Sequence, residues 1–387
     1  MKILHCCLAN FYIDNYAYQE NILPRMHKLQ GHDVAILAST ETYINNTQLG
    51  YIQSSAYTTE DDIPITRLPY VSWLPHILSR KMRIYSGIKN YVEAFAPDII
   101  FLHDAQFVSI HNIVSYVKKH PQVKVFVDSH TDYVNSATSW LSMNILHKVI
   151  YRWCIKQIEP YTIKFYGTLP LRNIFLVDVY NIPEEKVELL PLGVDLTNID
   201  LSKKNEIKKR IREELGFEQD DFVIITGGKI DLLKNIHLLL DAVSKIKMKK
   251  IKLILFGSIN SSIEPQINQY LLTENRIRYL GWLDSSITSH YLLASDIAIY
   301  PGTHSVLWEQ TVGLGIPCIF KKWKGIEHVD LGGNCMFLEN ITADLLQETI
   351  EYFFYTKTAL SQMKDIAERN GPKTFSYYEI AKKAIKI

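Results

Sequence analysis

Two stretches decide how this chain is read: GGKIDLLK at residues 227–234 and PGTHSVLWEQTVGLGIP at residues 301–317. The first follows an apolar run, FVIIT (222–226), and precedes a helical pattern. The spacing therefore predicts a strand-to-helix turn with Lys229 and Lys234 at its mouth. The second follows DIAIY (296–300), and its small residues let backbone amides at a helix start approach phosphate oxygens. Two cations beside such amides suit a diphosphate, and together the stretches outline a nucleotide-sugar site. The bland alternative for the lysines is a pair of solvated surface side chains.

The rest of the composition is compatible with that reading. At 387 residues, 47% hydrophobic and 21% charged, the chain can bury two full cores. Its 42 basic and 41 acidic residues give a net charge of +1, which argues against a dedicated nucleic-acid binder held by phosphate neutralisation. Five cysteines, Cys6, Cys7, Cys154, Cys318 and Cys335, have no CxxC spacing and read as reduced core residues of a cytosolic protein. The opening MKILHCCLANFYIDNY turns polar too soon for a secretory signal or a membrane span, and reads as a first buried strand.

Strand-length apolar runs alternate with longer amphipathic stretches, the pattern of parallel sheets covered by helices on both faces. Expected strands are 2–8, 33–38, 99–102 and 123–127 in the first half, then 222–226, 252–256, 277–279, 297–300 and 318–320. Residues 190–221 read as a linker leading into a solvated helix, and 373–387 as an amphipathic helix. Two stretches lack acids altogether. Residues 63–92 carry Arg67, Arg80, Lys81, Arg83 and Lys89 among aromatic and aliphatic side chains, and 133–158 carry Lys148, Arg152 and Lys156 in similar company. Each is either an ordinary packed helix or a surface for anionic lipid.

In order and spacing these pieces resemble the retaining glycosyltransferases of family 4. The resemblance rests on MKILHCCLANF, QGHDVAILAST and APDIIFLHD in the first half. In the second it rests on LPLGVD, GGKIDLLKN, LILFGS, RYLGWL, ASDIAIYPG and the GLGIP turn. It implies an α/β chain of GT-B architecture, two Rossmann-like doubly wound domains facing a cleft. Residues 1–195 would form the acceptor-side domain and 196–370 the nucleotide-sugar donor domain, with 371–387 a helix packing back on the first.

The resemblance also assigns residues. Gly228 belongs to the donor turn, Lys229 stands where the family has arginine, and Lys234 matches its lysine; both lysines would contact the donor diphosphate. The family's paired acids, eight positions apart, are incomplete here. Pro301 and Gly302 occupy the place of the first, and the second slot falls on Gln310 by ungapped counting, with Glu309 beside it; one of the two would hold the donor ribose. Thr303, His304, Ser305 and Val306 fall beside the diphosphate, His304 as a substitute contact. The alternative for Glu309 is a helix N-terminal carboxylate favoured by the macrodipole. His130, in VDSHTDY after a strand, corresponds to a cleft histidine near the anomeric carbon, or is a packed capping residue; Asp128 and Asp132 are its neighbours. His103 and Asp104 end the preceding strand and would line the acceptor pocket or simply form its turn. Asn10 opens NFYIDNYAYQE, which replaces the family's glycine-rich first loop and contains no GxGxxG.

The expected function is a retaining sugar transfer from a nucleotide diphosphate sugar, UDP-linked, to a carbohydrate or lipid-linked acceptor in surface polysaccharide or glycolipid assembly. The transferred group would be a hexosyl or N-acetylhexosaminyl group. No cofactor beyond the nucleotide-sugar co-substrate, no metal and no nucleic acid are expected. The location would be cytoplasmic, peripheral on the inner membrane face. The rivals are a GT-B-fold sugar-nucleotide epimerase and a non-enzymatic two-domain sugar-binding protein.

Overall fold

The computed structural model describes residues 1–44 and 48–386. The chain divides into two compact units, Met1–Pro191 with Ile380–Ile387, and Leu192–Glu379. In the first unit eight strands run in the order Val187–Leu189, Thr162–Gly167, Lys124–Ser129, Ile99–His103, Lys2–Cys7, Asp33–Ser39, Pro64–Leu68 and Ser55–Thr58. All neighbours are parallel except the last pair. The central strands are buried on both faces, so they read as unbroken apolar runs. The order reverses between Lys2–Cys7 and Ile99–His103, and such a reversal opens a crevice at the carboxyl ends of the strands. Parallel register sets His103 beside Asp128 at that end.

The second unit holds a six-stranded parallel sheet in the order Ile277–Tyr279, Ile251–Phe256, Phe222–Gly227, Ile297–Tyr300, Cys318–Lys321 and Cys335–Leu338. Its order reverses between Phe222–Gly227 and Ile297–Tyr300. Residues 227–234 and 301–317 follow on from these two adjacent strands. They therefore emerge side by side where an open α/β sheet binds ligands. All five cysteines are free, four of them buried and Cys335 half-buried.

The helix Lys204–Glu214 is solvated along one face, as expected within 190–221, but its other face is anchored by buried charge. Arg212 is buried and donates through Nε to the Ala294 carbonyl (3.0 Å) and through Nη1 to that of Asp221 (2.9 Å). Its Nη2 meets Asp296 Oδ2 at 2.8 Å, and Lys208 meets Oδ1 at 2.5 Å. Asp296 also accepts the Val223 amide at 2.8 Å. A charged sequence thus packs because two of its cations converge on one carboxylate at the start of a core strand. Asp296→Ala would leave Arg212 buried without its anion. It should destabilise the protein by about 3–5 kcal/mol, read as a lower urea midpoint; an unchanged midpoint would show that the pair carries no stability.

Candidate functional site

In the second unit, Phe222–Gly227 ends in a glycine pair, and Gly228 takes a φ of 104°. The Gly228 carbonyl oxygen lies 1.8 Å from where a Cβ on Gly257 would stand, so two strand ends cross with no room for a side chain. The chain then makes a short 3-10 turn, Leu232–Lys234, before the helix Ile236–Lys245. Asp231 caps the turn by accepting the amides of Leu233 (3.0 Å) and Lys234 (3.2 Å).

The loop after Ile297–Tyr300 is stitched to this turn. Lys234 Nζ donates to the carbonyls of Thr303 (2.7 Å) and His304 (2.9 Å), and the Thr303 amide donates to the Leu233 carbonyl (3.1 Å). Asn235 Nδ2 reaches the Pro301 carbonyl at 3.0 Å, and Trp323 Nε1 reaches that of Gly302 at 3.0 Å. A Cβ on Gly302 would stand 2.2 Å from Lys234 Cα, which explains physically why no acid occupies this position. Between turn and loop lies a small pocket lined by Thr226, Lys234, Tyr300, Ser305 and Trp308, among others. An ammonium has three donors, so Lys234 keeps one N–H beyond its two carbonyls. Burial lowers its proton affinity, against the pull of Asp231. Lys229 stands apart with an exposed side chain, its ammonium 3.5 Å from Asp231.

Glu309 is fully buried on the helix Leu307–Gly313. Its Oε1 lies 2.8 Å from His304 Nε2 and 2.9 Å from His328 Nε2, while Oε2 has no partner among the described residues. Burial pushes this carboxyl up, but the two imidazoles outweigh it and hold it at about 2. Gln310, next in the helix, is half-buried, and Val306 stands at the helix start, partly exposed. Ser305 accepts the Trp308 amide on its carbonyl (3.0 Å). Glu309 thus gives Oε1 to two histidines, while Oε2 stays unpaired among the described residues. His328, which the sequence did not single out, comes from the short 3-10 turn Glu327–Val329, 19 residues beyond it.

In the first unit the expected acceptor-side residues also gather at strand carboxyl ends. Asp104 takes a φ of 61°, its Oδ1 accepts Gln106 Nε2 (2.9 Å) and its Oδ2 accepts the His130 amide (3.3 Å). His103 Nδ1 lies 2.9 Å from Asp128 Oδ2. His130 Nε2 stands 3.7 Å from Asp128 Oδ2 and 3.9 Å from Glu20 Oε1, hydrogen-bonded to neither. Burial lowers His130, but Glu20 and Asp128 outweigh it and raise it to about 9. Asn10 Nδ2 donates to Glu20 Oε1 at 3.0 Å, tying the first loop to this group. Asp132 turns away to cap its own loop and to pair with Arg172 at 3.1 Å. Glu20 closes the set and was missed, because an acid in the first turn of a helix carries no signal of its own.

The two acid-free stretches meet in this unit: the Tyr151 hydroxyl donates to the Lys81 carbonyl at 3.5 Å. Leu141, Ile145, Val149 and Trp153 form an exposed stripe at four-residue spacing along Ser142–Tyr151 and the helix that continues it, and Trp73, Ile77 and Leu78 are exposed as well. Arg80, Lys81, Lys148 and Lys156 are exposed among them. Arg67 differs from the expectation of a surface cation. It is buried, paired with Asp14 at 2.9 Å and bonded to Tyr57 at 2.8 Å. Arg83 is likewise withdrawn, donating to the Gln106 carbonyl at 2.8 Å.

Residues 207–364 match the family model for glycosyl transferases group 1. A glycosyltransferase from Rickettsia africae is similar in structure, with a TM-score of 0.69 at 16% identity, covering 99% of this chain and 96% of that one. The Anabaena protein HepE, solved in complex with UDP, gives a TM-score of 0.64 at 13% identity, covering 99% and 98%. The fold is GT-B. In sequence, the chain is 20% identical over 221 residues to an uncharacterised glycosyltransferase of Methanocaldococcus jannaschii, an alignment of 54% of this chain and 55% of that relative. The chain thus spans about half the length of the curated relative it matches.

Within this GT-B chain, the Glu309 cluster makes a pH prediction. Its folded value near 2 lies below the ordinary glutamate value, so its stabilisation is complete above about pH 4.3 and lost as pH falls towards 2. Glu309→Gln should flatten the acid limb of stability measured between those limits. A variant as acid-sensitive as the parent would show that the histidine pairing contributes nothing.

Proposed function

We propose that this chain transfers a glycosyl group, hexosyl or N-acetylhexosaminyl, from a UDP-linked sugar to a carbohydrate or lipid-linked acceptor, with retention at the anomeric carbon. The observation that carries this reading is the convergence of the 228–235 turn and the 301–306 loop at the reversal point of the second sheet, inside the segment that matches the family model. UDP is chosen because HepE, a neighbour of the same fold, was crystallised with it. Lys234 offers its remaining N–H, and Lys229 its exposed charge, to the diphosphate as negative charge gathers on it. Fixed cations stabilise such charge most in a site shielded from water. His304, oriented by Glu309 through Nε2, keeps Nδ1 for the donor. Glu309 or Gln310 is assigned to the ribose: Glu309 holds its histidines through Oε1 alone, and its Oε2 has no partner among the described residues.

The chemistry balances without an enzyme nucleophile. The bond from C1 to the diphosphate oxygen breaks, the acceptor oxygen bonds to C1 on the same face, and the acceptor proton passes to a phosphate oxygen of the departing UDP. No bound metal is part of this proposal; among the described residues no group of three or more His, Cys, Asp or Glu side chains is arranged to hold one. His130 and Asp104 are assigned to the acceptor.

Lys234→Ala should lower turnover about tenfold to a thousandfold. The assay is UDP release from a panel of UDP-sugars in EDTA, with proton NMR of early product showing the retained configuration. Unchanged kinetics in Lys234→Ala, or dependence on magnesium or manganese, would contradict the mechanism. Release of an epimerised sugar instead of transfer would favour the epimerase, and stabilisation by free sugar but not UDP would favour a receptor.

The acceptor is proposed to lie at an anionic membrane surface, the inner face of the cytoplasmic membrane, reached by the exposed stripe and its flanking cations. No helix among the described residues is long and apolar enough to cross a membrane. Each lysine or arginine near anionic lipid contributes about 1 kcal/mol. Replacing Arg80, Lys81 and Lys148 with glutamine should reduce sedimentation with anionic vesicles at low salt and leave UDP release from the donor intact. Parent protein that ignores such vesicles would remove this part of the proposal.

A further inference from the structure

Behind Asp128 the first unit buries three histidines in one file. His103 Nδ1 lies 2.9 Å from Asp128 Oδ2, and His103 Nε2 lies 3.0 Å from His5 Nδ1. His5 Nε2 lies 3.0 Å from His27 Nδ1, and His27 Nε2 lies 2.9 Å from the carbonyl oxygen of Ala381. His5, His27, His103 and Asp128 are all fully buried. They come from the strand Lys2–Cys7, the helix Gln19–Leu29 and the adjacent strands Ile99–His103 and Lys124–Ser129.

Hydrogens in this file can be counted. Four contacts at hydrogen-bond distance need four hydrogens. The carbonyl at one end supplies none, an ionised carboxylate at the other supplies none, and each neutral imidazole supplies one. Three neutral rings therefore leave one contact in which two lone pairs face each other, a costly defect in a buried network. We infer that the file holds one proton beyond three neutral imidazoles, carried as an imidazolium at His103, and that His5, His27 and His103 are positioning residues that compensate Asp128 from behind and so set the charge state of His130.

The ends of the file explain its direction. A backbone carbonyl cannot take up a proton, so the Ala381 end is closed and the file stores a proton without conducting it. Burial lowers His5 and His27, the latter to about 4, which moves the charge to the ring beside the carboxylate. Burial alone would raise Asp128, yet His103 and His130 together hold it well below the usual carboxylate range. The other polar and titratable groups facing the file are few. Gln19 Nε2 donates to Asp128 Oδ2 at 3.2 Å, and the Asp104 amide donates to Oδ1 at 3.3 Å. Glu20 and Asp104 flank His130, where the Arg172 charge opposes the carboxylates; the His32 ring lies 6.1 Å from that of His27, and buried Cys7 shares the strand of His5. With Asp128 compensated, His130 answers chiefly to Glu20. Without the stored proton it would face two uncompensated carboxylates and bind its own proton more tightly.

The proton count is independent of the reaction; the role given to His130 rests on the proposed transfer. Nitrogen-15 NMR of the ligand-free full chain labelled at histidine tests the count. His103 should show both ring nitrogens protonated at neutral pH, with a low-field Nδ1 proton. A neutral His103 there would overturn the count, and this spectrum of the parent needs no variant. Folded His5→Phe breaks the file at its middle and should raise the His130 titration midpoint by about one pH unit. An unmoved midpoint would overturn the positioning role. Failure of UDP-sugar turnover would refute the transfer while leaving the histidine spectrum as expected, so the two failures are distinguishable.

Discussion

The proposed donor side of this protein depends on one close approach, the backbone of Gly302 against the backbone of Lys234. A side chain at 302 has nowhere to go, since its first carbon would stand 2.2 Å from Lys234 Cα. The loop therefore lies flat on the turn, and its carbonyls fall within reach of the lysine ammonium. That contact spends two of the three Lys234 donors on holding the loop and leaves one for a ligand. It also excludes an acid at this point in the loop, and in the proposed function the neighbouring His304, backed by the Glu309 carboxylate, meets the donor instead.

The same electrostatic device recurs in both units. In each, a buried carboxylate sits close to two imidazoles at the carboxyl end of a parallel sheet: Glu309 with His304 and His328, and Asp128 with His103 and His130. A buried carboxylate is tolerated when hydrogen bonds and opposite charge offset its desolvation. In each case one imidazole is packed behind the carboxylate while the other is partly exposed, His304 and His130. The buried partner fixes the carboxylate; Glu309 then orients His304 by a hydrogen bond, whereas Asp128 acts on His130 through its charge.

Much of this frame was legible in the sequence. Doubly buried strands such as HCC within 2–7 and FVIIT at 222–226 announce themselves as apolar runs, and the glycines and lysines that follow mark the turn. The strand Pro64–Leu68 was not legible, because proline and Arg67 interrupt its apolar pattern. An arginine satisfied by Asp14, Tyr57 and two carbonyls looks like any surface cation until those partners are brought to it. Thr162–Gly167 hid for a similar reason, with Lys164 in its middle. Within the site, the residues read from strand ends gathered there, whereas Glu20, His328, His5 and His27 entered through contacts that no local pattern encodes. The likeness in order and spacing to a known family carried the assignment of Gly228, Ser305, Val306 and Gln310, which composition alone would have passed over.

Hydrogen–deuterium exchange with and without UDP tests the central claim most directly, because it locates the nucleotide without assuming the sugar or the acceptor. Binding should slow exchange together in residues 228–235 and 302–310, the turn and the loop that Lys234 joins. UDP that leaves both segments unprotected, or that protects only segments of the first unit, would contradict the account.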